Sequence, residues 1–108
     1  MTPVEITPAR AAERLQGEPA RFVLVDCREP DEFRYVSVAG SVNIPMEQIP
    51  ARLREIDGSK EVAVLCHRGV RSAMVVEFLR RAGFTTATSV RGGIEAWACE
   101  VDPSLRRY

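Results

Sequence analysis

The stretch Val62-Ala63-Val64-Leu65-Cys66-His67-Arg68-Gly69-Val70-Arg71-Ser72 decides the fold. Its first four residues form an unbroken apolar run. A strand with one wet face alternates apolar and polar residues, whereas a strand covered on both faces does not. The run therefore predicts a buried strand of a parallel sheet, ending at Cys66. A short loop with a single glycine, Gly69, follows, and a helical pattern opens near Arg71 or Ser72. Over Ser72–Ala82, the residues Val75, Phe78, Leu79 and Ala82 fall at i, i+3, i+4 and i+7, the stripe of a helix with one face in the core. Gly83 stands where a glycine closes such a helix.

Working outward, Phe22-Val23-Leu24-Val25 is a second continuous apolar run, and it ends at Asp26. Weaker strand signals lie at Val4–Ile6, Val42–Ile44 and Ala87–Val90. Thr7-Pro8 reads as an N-cap followed by a proline in the first helical position, opening a helix over Pro8–Gln16 with Ala12 and Leu15 inward. Gly17-Glu18-Pro19 breaks it. Further helical stretches are Pro30–Tyr35, Pro50–Ile56 and Gly93–Ala98. Strands alternating with helices predict an α/β sandwich around a mostly parallel sheet. In such folds ligands gather at the carboxyl ends of the strands. Those ends carry Asp26-Cys27-Arg28 and Cys66-His67-Arg68.

Composition narrows the class. The chain has 108 residues, 45% of them hydrophobic and 28% charged, which predicts one globular domain over residues 1–108. Fifteen basic residues balance fifteen acidic ones. That excludes a general nucleic-acid binder, which needs surplus cation to displace counterions, and a polybasic membrane-surface protein. Lys60 is the only lysine; the other basic residues are arginines, whose planar fork suits oxyanions. Apolar runs such as Phe22–Val25 are far shorter than the roughly 20 residues of a membrane span. The opening Met1-Thr2-Pro3-Val4-Glu5 has neither the basic nor the apolar region of a signal peptide. Cys27, Cys66 and Cys99 are too few for a disulfide framework, and a reducing cytoplasm is the expected setting.

The chemistry concentrates at Cys66. A cysteine that closes a buried strand in front of a helix start faces unpaired backbone N–H groups and the positive end of the helix dipole. Arg68 and Arg71 add fixed positive charge. These surroundings favour a thiolate, the reactive form of the side chain. A free cysteine is more often just a small core residue, but a core residue gains nothing from flanking arginines, a glycine and a helix start. His67 is the only histidine; a thiolate formed by its surroundings needs no general base, so His67 is expected to line the loop. Asp26 and Arg28 are expected to brace it as a structural pair. Glu29, Asp31 and Glu32 suit the first turn after Pro30 through the helix dipole. Trp97 anchors the last helix. Gly92-Gly93 lacks the phosphate-loop pattern and permits a tight turn. Cys99 has no C-x-x-C partner, and no spacing of Cys27, Cys66, His67 and Cys99 matches a zinc site.

Four motifs in order carry a resemblance. Val25-Asp26-Cys27-Arg28-Glu29-Pro30-Asp31-Glu32-Phe33 matches D-x-R-E-x-x-E-F. Ala39-Gly40-Ser41-Val42-Asn43-Ile44-Pro45 matches A-G-A-x-N-I-P. Cys66 to Arg71 matches an active-site loop, and Arg91-Gly92-Gly93-Ile94-Glu95-Ala96-Trp97 matches G-G-x-x-A-W. Together they make the chain resemble a single-domain rhodanese, a sulfurtransferase. The resemblance implies a three-layer α/β/α sandwich with a five-stranded, mostly parallel sheet. It implies that Cys66 carries sulfur as a persulfide, and that the backbone N–H groups of His67, Arg68, Gly69, Val70 and Arg71 cradle the outer sulfur. Arg68 and Arg71 would hold a small anionic donor such as thiosulfate. The acceptor would be cyanide, a thiol or a sulfur-carrier protein, with no metal, organic cofactor, nucleic acid or membrane involved. Val36-Ser37-Val38 departs from the family's usual G-H-I, and Cys27 stands where an aliphatic residue is common. The C-x4-R loop is one residue shorter than the C-x5-R loop of related phosphatases, which argues for a single sulfur in the ring in place of a tetrahedral phosphate.

Overall fold

The computed structural model describes residues 4–108; Met1–Pro3, part of the opening stretch read above, lie outside the described residues. The elements in order are β1 (Glu5–Ile6), α1 (Pro8–Gly17), β2 (Phe22–Asp26), α2 (Pro30–Tyr35), β3 (Val42–Asn43), β4 (Glu61–Leu65), α3 (Val70–Arg81), β5 (Thr88–Val90) and α4 (Gly93–Glu100). Short 3₁₀ segments cover Pro19–Arg21, Met46–Gln48 and Pro50–Glu55. The five strands form one sheet in the order β1-β5-β4-β2-β3, and every pairing is parallel.

The two continuous apolar runs become the centre of this sheet. Phe22 to Asp26 pair with Glu61 to Leu65 in register. Alternate residues of both strands feed two separate cores. Leu24, Ala63 and Leu65 pack with Ala11, Ala12, Ile94 and Trp97 beneath α1 and α4. Val25, Val62 and Val64 pack with Val75, Val76 and Leu79 beneath α3. Both faces are thus covered, which is why neither strand alternates. Three layers, helix on sheet on helix, follow directly. Leu24, Leu65 and Leu79 are wholly buried, positions where truncation to alanine costs about 2–5 kcal/mol. Trp97 is a core anchor, as expected.

Local chemistry sets several boundaries. Thr7 caps α1, its Oγ1 accepting from the N–H of Arg10 at 3.1 Å. Glu29 and Glu32 form a reciprocal capping box on α2, which fixes that helix at Pro30. Two expectations need correction. The helix of the opening stretch begins at Val70, and its inward face is Ser72, Val75, Val76 and Leu79. Phe78 is 38% exposed, and Ala82 lies on the surface just past the helix. The face turns this way because the loop after Cys66 lowers the first turn onto the sheet and buries Ser72. Pro50–Ile56 is also not an α-helix. It is 3₁₀ over Pro50–Glu55, with Arg52 at non-helical angles. Only Leu53, part-buried, and Ile56, just past its end, reach the core, too little to hold so short a segment to α geometry.

Candidate active site

β4 delivers Cys66 to the carboxyl edge of the sheet. The next strand over, β2, delivers Cys27 to the same level, where its N–H donates to the carbonyl of Leu65 at 2.9 Å. Cys66 is buried, 1% exposed. The chain turns through His67, Arg68 and Gly69 and enters α3. Gly69 makes the turn at φ 102°, a left-handed conformation that suits glycine. From there its N–H donates to the sulfur of Cys66 at 3.0 Å.

A second polar contact comes from below. The hydroxyl of Ser72, on the first turn of α3, lies 3.2 Å from the Cys66 sulfur. Ser72 is hydrogen-bonded in turn to the Ser89 hydroxyl of β5 at 2.7 Å, and both serines are buried. A thiol donates to Ser72; a thiolate accepts from it, with Ser89 supplying the next hydrogen. The sequence reading missed both serines, because only the rotation of α3 brings Ser72 beneath the sulfur.

Helix α4 holds the loop from the other side. The N–H groups of Ile94 and Glu95 donate to the carbonyls of Cys66 and His67 at 2.8 and 3.1 Å. This approach requires Gly93: it sits at φ 63°, and a Cβ there would fall 2.6 Å from the Cys66 carbonyl oxygen. The Gly92-Gly93 pair is a tight turn, and it also shapes the reactive loop.

Four charged residues at this end of the sheet form two pairs. Asp26 and Arg28 are both completely buried and meet at 2.7 Å. Arg28 also donates to the carbonyl of Val36 at 2.6 Å and to the hydroxyl of Tyr108 at 2.9 Å. Burial works against its charge, but its hydrogen bonds to Asp26 and Tyr108 prevail and hold the guanidinium above its ordinary value. Asn43 ties the backbone here, donating to the carbonyls of Asp26 and Arg28 at 2.9 Å each. The expected structural pair is therefore present. The second pair was not foreseen: Arg71 donates to both carboxylate oxygens of Glu32, at 2.7 and 3.0 Å. The Arg71 bonds, with a hydrogen bond from the Tyr108 hydroxyl, bring the Glu32 carboxyl down to about 2.

Tyr108 is the other residue that the sequence reading missed. Its hydroxyl donates to Glu32 at 2.6 Å, across 76 residues of chain. Its ring stacks on His67 with centroids 3.9 Å apart and planes within 5°. The Nε2 of His67 lies 2.9 Å from the backbone oxygen of Tyr108. The segment after α4 thus returns across the face of the loop, anchored by Val101 and Leu105 on the core. His67 lines the loop as a stacking surface. Arg68 is exposed to solvent, and Val70 is 73% exposed.

The family model described as Rhodanese-like domain matches residues 7–100. The chain belongs to the rhodanese-like family. It is 33% identical over 99 residues to a Bacillus subtilis protein named putative sulfurtransferase YtwF, covering 92% of this chain and 94% of that one. It is 37% identical over 99 residues to the rice protein named adenylyltransferase and sulfurtransferase MOCS3, covering 80% of this chain and 22% of the relative. The chain therefore spans about a fifth of the length of the MOCS3 relatives that it matches. Among solved structures, a rhodanese-related protein from Thermoplasma volcanium superposes with a TM-score of 0.80 at 34% identity, covering 90% of this chain and 92% of that one. A rhodanese-like domain protein from Staphylococcus aureus gives 0.80 at 31% identity, covering 100% and 99%. The three-layer rhodanese-like architecture is the fold of this chain. Among the described residues no helix is long and apolar enough to cross a membrane.

Proposed function

We propose that this rhodanese-like chain is a sulfurtransferase in which the Cys66 sulfur is the carrier. The observation behind the reading is the buried Cys66 sulfur, with the N–H of Gly69 3.0 Å away at the start of α3. In the first half-reaction the Cys66 thiolate attacks the outer sulfur of thiosulfate or of a persulfide donor. The donor's S–S bond breaks, and sulfite or a thiolate leaves. In the second, cyanide, a thiol or a protein acceptor attacks the outer sulfur of the Cys66 persulfide, and the Cys66 thiolate returns. Each step is exchange at sulfur. The backbone N–H groups from His67 to Arg71 are the proposed cradle for the outer sulfur. Ser72 steadies the inner one.

The arginines then take different parts. Arg68 is open to solvent and meets an anionic donor first. Arg71 is held by Glu32, so it serves the donor only when Glu32 gives way. A relay role, with sulfur passed to a sulfur-carrier protein, is the second reading. Relatives named both adenylyltransferase and sulfurtransferase favour it, as does an Arg71 already occupied by a carboxylate. Fast transfer to a carrier protein with slow turnover on thiosulfate and cyanide would establish it. The short C-x4-R loop weighs against phosphate monoesters. The test of sulfur carriage is intact mass after incubation with thiosulfate: one added sulfur atom on the wild type and none on Cys66→Ser supports it. No addition to either chain overturns it.

A further inference from the structure

Cys27 is a buried thiol that the transfer cycle leaves unused. Three observations place it against Cys66. Asp26 and Leu65 are register partners on neighbouring parallel strands, and the Cys27 N–H continues that ladder to the Leu65 carbonyl at 2.9 Å. Cys27 and Cys66 each follow that last register pair by one residue and so stand opposite one another just past the strand ends, where neighbouring strands run about 4.8 Å apart. That spacing lies within the range of about 4.4–6.8 Å between the α-carbons of a disulfide. Both side chains also point to the same sheet face, into the cluster of Val25, Val64 and Val75, and each is 1% exposed. Cys99 shares none of this, since it is exposed on the last turn of α4.

We propose that Cys27 is a resolving thiol that discharges the Cys66 persulfide when no acceptor arrives. The proposal rests on the persulfide reading above. The sulfur of Cys27 attacks the inner sulfur of the persulfide, Sγ of Cys66, from the β2 side. The bond from Sγ to the outer sulfur breaks. The outer sulfur leaves into the loop as hydrosulfide, taking the proton that Cys27 gives up. Cys27 is oxidised, the transferred sulfur is reduced, and a Cys27–Cys66 disulfide remains. A dithiol reductant then opens it and restores both thiols.

The surroundings of Cys27 set the timing. Burial pushes its thiol up to about 12, with the neighbouring Cys66 and Asp26 adding to the rise and Arg71 of α3 opposing it. At neutral pH Cys27 is protonated, so discharge is slow and an external acceptor takes the sulfur first. The chain would therefore release free sulfide only when acceptors are lacking, and would wait as a reducible disulfide that cannot load again.

The test loads wild type, Cys27→Ala, Cys27→Val and Cys99→Ala with sulfur from thiosulfate or inorganic polysulfide, removes the donor, and follows intact mass and released sulfide without acceptor or reductant. The valine variant keeps the apolar cluster filled, so a loss common to both Cys27 variants is not a packing effect. The wild type and Cys99→Ala are expected to lose the added sulfur as one equivalent of sulfide. They should end two hydrogen masses below the reduced chain, with a peptide joining Cys27 to Cys66, at a rate independent of protein concentration. Both Cys27 variants should keep the persulfide at least tenfold longer. Equal decay in wild type and Cys27 variants, or a bridge to Cys99 or between chains, overturns the proposal. Failure of every chain to take up sulfur from either donor instead removes the carrier reading, and this proposal with it.

Discussion

Two arginine–carboxylate pairs flank Cys66 at the same separation, 2.7 Å: Arg28 with Asp26 and Arg71 with Glu32. They differ in water. The first pair is 0% exposed on both sides; the second is 31% and 21% exposed. The same bond therefore does different work. The buried pair cannot open without stranding a charge in the sheet, so it acts as a fixed brace between β2 and the Val36 segment. The half-buried pair can trade its partner for water or for an incoming anion at little cost. One holds the strand ends in place, and the other is a latch beside the sulfur.

The largest expected effect breaks the brace. Arg28→Ala leaves Asp26 buried and unpaired and should destabilise the fold by about 3–5 kcal/mol, read by urea unfolding. Arg71→Ala, by contrast, should cost no more than about 1 kcal/mol. Equal losses for the two would erase the distinction.

A medium effect sharpens it. Removing the carboxylate charge in Glu32→Gln loosens the latch and frees Arg71 for the donor. The KM for thiosulfate should fall several-fold, with kcat changed less, in a steady-state assay with cyanide. A raised KM would mean that Glu32 positions Arg71 for the donor and does not withhold it.

The smallest effect is in acid. The Glu32 carboxyl titrates at about 2 in the folded chain, below its ordinary 4.5. A depressed carboxyl contributes stability that is full above the ordinary value and is lost as pH falls toward the folded one. Between about pH 4.5 and 2 the wild type should therefore lose stability more steeply than Glu32→Gln in thermal unfolding. Identical slopes would show that the latch contributes nothing to folding.

How much of this could be read in advance depends on how local each cause is. Phe22–Val25 and Val62–Leu65 were legible as central strands because burial on both faces removes alternation within a few residues. Pro30–Tyr35 was legible because its start is written into Glu29, Pro30 and Glu32. The stripe on α3 was misread at Phe78 and Ala82: periodicity gives the spacing of a face, while the loop at Gly69 sets which way it turns. The segment Pro50–Ile56 carries a helical start signal but nothing that shows whether a core will hold it. At the site, Cys66 and its loop stood out because strand, glycine and helix start are neighbours in sequence. Glu32 was read only as part of its own helix, since its partners Arg71 and Tyr108 lie 39 and 76 residues away. Neither Tyr108 nor the Cys27–Cys66 adjacency has a local signature; the first needs the path of the last eight residues, the second the register of two strands.

Sulfur carriage by this chain depends on the sulfur of Cys66. Intact-mass spectrometry of the wild type and Cys66→Ser after thiosulfate, under non-reducing conditions, addresses it most directly. One extra sulfur atom on the wild type, lost on adding cyanide and absent from Cys66→Ser, is the predicted result. Uptake that survives the Cys66→Ser change, or no uptake at all, would contradict it.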